Sequence, residues 1–255
     1  MIRLKFTLVV ALKLVALVLL FCDALTLPWI TALFFLGDPW LLWNLLIPGT
    51  SGIVPVFTCF KTERPEVWLT IDDGPDPDDT PRLLDALERH GARATFFLVG
   101  ERAARHPELV TEITRRGHEI GHHTQTHPER TFWCATPARL ARELDDALAV
   151  FARSGVRPTR FRAPVGIKSP FLGPLLAARG LACIAWSVRS HDSFASDAGS
   201  VLNHVLPRVR SGSVILMHEG PRLNPSVRVT AIDRLLAALT ERGLRCIIPT
   251  AAQLR

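Results

Sequence analysis

The sequence predicts an α/β fold: a distorted parallel (β/α) barrel of about seven strands, preceded by an N-terminal membrane helical hairpin. Three observations predict it. Beyond residue 66, short apolar runs alternate with amphipathic helical stretches, the order that lays strands parallel with helices outside them. The residues able to do chemistry fall at or just past the C-terminal ends of those runs, where sites on such folds collect. Residues 1–60, by contrast, carry only Arg3, Lys5, Lys13, Asp23 and Asp38 as charges.

The elements follow in order. Residues 6–22 are nearly continuous apolar sequence broken by Lys13, and residues 25–47 form a second run containing Pro28, Gly37, Asp38 and Pro39. Each is long enough for one crossing of a hydrocarbon core of about 30 Å, and Trp29, Trp40 and Trp43 suit interfacial positions. A cleaved signal peptide is the competing reading, because Arg3 and Lys5 precede the first run. No small-x-small site follows at once, however, and apolar character resumes after Asp23. A single span followed by a re-entrant or interfacial segment is the alternative, since Gly37-Asp38-Pro39 could break the second helix. Residues 1–48 are therefore expected to anchor the chain, residues 49–65 to form an irregular linker, and residues 66–255 to form the catalytic domain.

Within that domain the candidate strands are 67–71, 94–99, 118–121, 159–162, 181–186, 213–218 and 244–248. The candidate helices are 79–90, 107–116, 137–153, 170–179, 198–210 and 227–242. In 137–153, Leu140, Leu144, Ala147, Leu148 and Phe151 recur at three and four residues and form one buried stripe. Residues 61–255 hold 27 basic and 22 acidic side chains, a mild net +5, and no basic run with interleaved aromatics suggests nucleic acid. Five scattered cysteines without C-x-x-C spacing argue against a disulfide framework or a thiolate zinc site. Positive charges flank both ends of the hairpin, which places the catalytic domain on the cytoplasmic face of a bacterial-type inner membrane.

Asp72 and Asp73 leave the run Val67-Trp68-Leu69-Thr70-Ile71 and enter a Gly74-Pro75 turn. Adjacent carboxylates at the end of a buried strand are costly unless a cation, a proton or an arginine offsets them. His122-His123-Thr124-Gln125-Thr126-His127 comes later, and His218 ends the run Val214-Ile215-Leu216-Met217. One Asp with two His is a divalent-metal ligand set, and the remaining Asp and His make a base and acid pair. A helix-capping role for Asp72-Asp73 leaves the histidines unexplained. The constellation reads as a metal-dependent hydrolase.

Together these motifs resemble the NodB homology domain, the polysaccharide deacetylases of carbohydrate esterase family four, over residues 67–250. Leu69-Thr70-Ile71-Asp72-Asp73-Gly74-Pro75 matches the first motif, and 117–127 the second, with its H-[ST]-x-x-H core at 123–127. Phe161-Arg162-Ala163-Pro164-Val165-Gly166 is similar to the third, and Ile215-Leu216-Met217-His218 to the last. The resemblance implies that Asp73, His123 and His127 hold one divalent ion, zinc first, with cobalt, nickel or manganese as alternatives. It implies Asp72 as general base, Arg162 and a second candidate, Arg93, as its orienting partners, and His218 as general acid oriented by Asp192. Pro164, Val165 and Leu216 would line the substrate site, with the Val165 N–H helping to stabilise the oxyanion. The fourth motif departs from the usual D-x-x-D-W: Arg189 stands for its first acid and Ser193 for its aromatic residue.

The expectation is removal of an N-acyl group, chiefly acetyl, from an amino sugar of a polysaccharide or lipid-linked glycan at a membrane. O-deacetylation or deformylation of a lipid-linked sugar is the alternative within hydrolases. A catalytically inactive membrane scaffold is the alternative outside them.

Overall fold

The computed structural model describes residues 2–22 and 25–254, with side chains from Thr7 onward in the first helix. Asp23, expected in the turn between the spans, lies outside the described residues, as do the side chains of Arg3 and Lys5. Helices α1 (Ile2–Phe21), α2 (Leu27–Phe35) and α3 (Asp38–Leu46) form the N-terminal segment. The break expected at Gly37-Asp38-Pro39 falls between α2 and α3, yet Leu36 and Gly37 both keep right-handed helical backbone. Leu27–Leu46 is long and apolar enough to cross a membrane. Helix α1 packs along α2 and touches α3. At Gly37 an added Cβ would lie 2.7 Å from a Val9 methyl, so only glycine permits that approach. Lys13, the charge that interrupts the first run, pairs with Asp38 at 2.7 Å and donates to the Phe34 carbonyl at 3.0 Å. Two charges that would each be expensive in an apolar setting thus offset one another.

The domain continues as β1 (Val56–Phe57), β2 (Glu66–Asp72), α4 (Asp79–Arg89), β3 (Ala94–Leu98), α5 (Gly100–Arg105), α6 (Pro107–Arg115), β4 (Glu119–His122), α7 (Pro137–Arg153), β5 (Arg160–Phe161), α8 (Leu172–Ala178), β6 (Ala182–Ile184), β7 (Val188–Arg189), α9 (Ala198–Val205), β8 (Val214–His218), α10 (Arg228–Glu241) and β9 (Arg245–Cys246). All seven expected strands and all six expected helices are present, with two-residue β1 and β7 and the single-turn-scale α5 in addition. Strand order is β1-β6-β5-β4-β3-β2-β8-β7, with β9 on β2, and every pairing between these strands is parallel. Strands β6 and β7 lie near opposite edges, yet only Ala185, Trp186 and Ser187 separate them. The four chain steps from Ile184 to Val188 span about 14 Å at most, so the sheet must curl round on itself as a barrel.

Part of residues 49–65, expected as an irregular linker, docks on the domain. Ile53 and Val54 are buried, and β1 adds a strand beside β6. Period-two alternation sorts the side chains of the long strands. Along β2, Val67, Leu69 and Ile71 face the outer core with α4 and α10, while Trp68 joins Phe97, Ile184 and Val214 inside the barrel. The same rule turns Ile215 and Met217 of β8 outward and leaves Val214, Leu216 and His218 inward.

Candidate active site

Alternation places Thr70 and Asp72 on the inner face of β2, one above the other, and Arg162 reaches both from the end of β5. Its Nη1 donates to Asp72 Oδ1 at 2.6 Å and to Thr70 Oγ1 at 2.8 Å, its Nη2 to the Ala185 carbonyl at 3.0 Å and its Nε to the Ile184 carbonyl at 3.3 Å. The guanidinium also lies 4.2 Å from the centre of the Phe97 ring. Arg162 has no exposed surface, and such a charge is tolerable only because Asp72 answers it. Burial lifts the Asp72 carboxyl above its ordinary value, against the pull of Arg162 and His218.

Asp73 turns the other way and meets the histidines. Its Oδ1 is 3.3 Å from His127 Nε2 and 3.6 Å from His123 Nε2. The three potential ligand atoms all lie within 4.8 Å of one another. His123 Nδ1 faces the Arg162 carbonyl at 2.8 Å, and His127 Nδ1 faces Glu129 Oε1 at 3.2 Å. Both partners are acceptors, so each Nδ1 carries its proton and each Nε2 presents a lone pair. Those two Nε2 atoms stand 3.1 Å apart. Burial drives both rings toward the neutral form, His123 well below the ordinary histidine value. Two lone pairs and a carboxylate oxygen aimed at one point, with backing acceptors on both imidazoles, fit a divalent cation.

Across the pocket, His218 Nδ1 donates to Asp192 Oδ1 at 2.7 Å, and the His218 backbone N–H donates to Asp192 Oδ2 at 2.7 Å. Burial opposes charge on this imidazole, but Asp192, followed by Asp72 and Asp73, outweighs it and pushes the ring up to about 9. Burial also opposes charge on Asp192; His218 more than compensates and holds that carboxyl below its ordinary value.

Local backbone geometry sharpens this picture. Asp73, Thr124, His127, Val165 and His191 have positive φ, and no other non-glycine described residue does. All five sit in the site motifs or beside Asp192, at a cost of order 1–3 kcal/mol each. Neighbours hold them in place: Arg102 donates to the Asp73 carbonyl, Thr124 Oγ1 accepts from the His127 N–H at 3.1 Å, and Glu143 accepts from the N–H groups of Gln125 and Thr126.

These groups surround a cavity of about 280 Å³, walled by Val165, Trp186, Arg189, Ser193, Phe194, Leu216 and Leu223 besides the ionisable residues. Val165 and Leu216 are on the wall; Pro164 is buried and not part of it. Arg93 is not at the site. It precedes Ala94, which pairs with Leu69, whereas Asp72 pairs with Phe97, so Arg93 sits at the N-terminal end of the sheet. There it donates to the Arg116 carbonyl. Of the two arginines, it is Arg162 that pairs with Asp72. His122 bridges the Leu144 carbonyl and the Thr124 N–H, and His118 accepts from the Ala94 N–H. Sequence reasoning missed Thr70, Glu129 and Arg222. Glu129 accepts from both His127 and Arg222, and only its position two residues after His127 hinted at that.

The polysaccharide deacetylase family model matches residues 60–182. A chitooligosaccharide deacetylase of Sinorhizobium fredii is 37% identical, over 71% of this chain and 89% of the relative. The chain belongs to the polysaccharide deacetylase family. A peptidoglycan-N-acetylglucosamine deacetylase of Bacillus cereus is 33% identical, over 71% of this chain and 84% of its own. The crystal structure of the Bc1960 peptidoglycan N-acetylglucosamine deacetylase superposes with a TM-score of 0.70 at 32% identity, covering 75% of this chain and 89% of that one. Polysaccharide deacetylases are hydrolases of non-peptide carbon–nitrogen bonds, and this chain is an enzyme of that type.

Proposed function

We propose that the chain hydrolyses the N-acetyl amide of amino-sugar residues in a polysaccharide or lipid-linked glycan, using a divalent ion held by Asp73, His123 and His127. Zinc suits two imidazoles and one carboxylate. Bound there, the ion would supply Lewis-acid polarisation of the amide and raise the acidity of the attacking water. Every other task falls to side chains already in place.

Asp72, oriented by Arg162 and kept more basic than an ordinary carboxylate by burial, accepts the proton of the attacking water. His218, protonated at neutral pH because Asp192 holds its Nδ1–H, gives its Nε2 proton to the departing amine. The Val165 N–H, carried on a left-handed turn, donates to the developing oxyanion, and Leu216 floors the acyl pocket. One observation carries this reading: a raised acid and a raised base flank a ligand triad around a single small cavity.

Residues 1–48 are assigned as the membrane anchor, and residues 66–255 as the catalytic domain. The excess of positive charge at both ends of the anchor supports a cytoplasmic domain, whose substrate would then be a lipid-linked glycan. The catalytic test uses zinc-loaded full-length protein on matched N-acetyl, N-formyl and O-acetyl amino-sugar oligomers. Hydrolysis of the N-acetyl member is expected. Turnover of only the N-formyl or O-acetyl member would replace this assignment, and a zinc-saturated protein inactive on all three would favour a scaffold.

A further inference from the structure

The end of α3 is fastened to the loop that carries Val165. Lys168 is 1% exposed, and its Nζ donates to the Ile47 carbonyl at 2.5 Å and the Pro48 carbonyl at 3.1 Å. Its backbone N–H donates to the Leu45 carbonyl at 2.9 Å. Among the described residues no carboxylate pairs with this ammonium. Its acceptors are the carbonyls of Ile47, the extended residue that ends α3, and of Pro48 just beyond it, and burial pushes the amine down to about 8.

Two residues earlier, Gly166 has φ +76°, and an added Cβ would lie 2.6 Å from Pro48 and 2.7 Å from the Trp186 ring. Pro48, Gly166 and Trp186 therefore form one stack, and Val165 and Trp186 are both on the cavity wall. The other flank of α3 is fixed as well: Asn44 is buried, donates to the Trp40 carbonyl and accepts from the Gly52 N–H at 2.8 Å. From there Val54 enters the core cluster with Leu140 and Leu172.

We propose that residues 45–48 are a buttress of the substrate-binding wall, with Lys168 the positioning residue that transmits the placement of the apolar helices to Val165 and Trp186. The N-terminal segment is then more than a tether: it sets the shape of the pocket. The inference rests on the deacetylase reading for its kinetic arm only. It predicts that loosening the buttress weakens substrate binding and leaves the ligand triad and the acid–base groups intact.

The test compares wild type, Lys168→Met and Lys168→Arg as full-length, zinc-loaded protein in detergent micelles. Hydrogen exchange is followed by mass spectrometry, and kinetics are measured on N-acetylchitopentaose. In Lys168→Met, exchange should quicken together in peptides covering 44–48 and 163–168 and stay unchanged in β2 and β4. KM should rise about tenfold as Trp186 leaves its place on the wall, and kcat should fall with zinc affinity unchanged, since the same displacement moves the Val165 N–H away from the oxyanion. Lys168→Arg, which keeps donors for the same carbonyls, should recover most of the loss. If Lys168→Met does not fold, Pro48→Ala should give the same paired exchange signature more weakly.

Faster exchange confined to 44–48, an unchanged KM, or a fall in kcat with lost zinc would each overturn the proposal. A wild type inactive on the oligomer but showing the paired exchange response would count against the substrate reading and leave the buttress standing.

Discussion

Asp192→Asn tests the acid assignment most directly. The substitution keeps side-chain shape and removes one charge 2.7 Å from His218 Nδ1. Moving an imidazole from 6.5 to about 9 at about 1.4 kcal/mol per pH unit amounts to about 3 kcal/mol of preference for the charged form. Asp192 is the foremost of the groups that raise it, ahead of Asp72 and Asp73, so its removal should lower the His218 titration by more than about one pH unit. The measurement is the pH dependence of the His218 ring resonances in metal-stripped protein, paired with the alkaline limb of kcat/KM in zinc-loaded protein. Both should move to lower pH. Stability has a definite sign here. The folded His218 value exceeds the unfolded one, so the pair's contribution is fully present below pH 6.5 and disappears as pH rises through about 9. Wild type and variant should therefore differ in urea midpoint at pH 6 and draw together above pH 9. An unmoved ring titration, or a stability gap indifferent to pH, would refute the reasoning.

Arg162→Met should cost about 3–5 kcal/mol of stability by urea denaturation, because Asp72 is left buried without its cation. It should also raise the Asp72 carboxyl further and shift the acid limb of kcat/KM to higher pH. Asp73→Asn and His127→Ala should each weaken zinc binding at least about a hundredfold by competition with a chelator, whereas Glu129→Gln, which meets the ligand set through His127 Nδ1, should weaken it about tenfold. A reporter fused after Arg255 should be active only if it is of the kind that works in the cytoplasm; activity of an export-dependent reporter would move the domain to the other face.

How much of this was legible depends on what kind of signal each residue left. Strands β2, β3 and β8 announce themselves because both faces are buried and the apolar run is unbroken. Strands β1 and β7 have two residues each, too few to show a period, and β1 hides inside a Pro- and Gly-containing stretch that reads as a linker. Arg162 and Arg93 look equivalent as letters beside strands. They separate once polarity is applied: Arg93 precedes its strand and Arg162 follows one, and only the latter end carries the site. Asp72, Asp73, His123 and His218 were visible because charged residues at the ends of apolar runs demand a reason. Thr70, Glu129 and Arg222 were not, because their roles come from pairings across the barrel that no local spacing encodes. Lys168 left no signal either: a lone lysine in a loop is ordinarily a solvated one, and only its burial against the Ile47 and Pro48 carbonyls distinguishes it.

The position of β2 has a consequence for biogenesis. One flank pairs with β3, which the ribosome delivers soon afterwards, but the other waits for β8, and the hydrogen bond from Thr70 to the Ile215 carbonyl joins groups 145 residues apart. At about 5–20 residues per second, the central ribbon of the nascent chain spends roughly 7–30 s with one row of peptide groups unsatisfied. During that interval the emerging polypeptide is open to mispairing with its neighbours, and a chaperone that shields an exposed strand edge would be expected to act then.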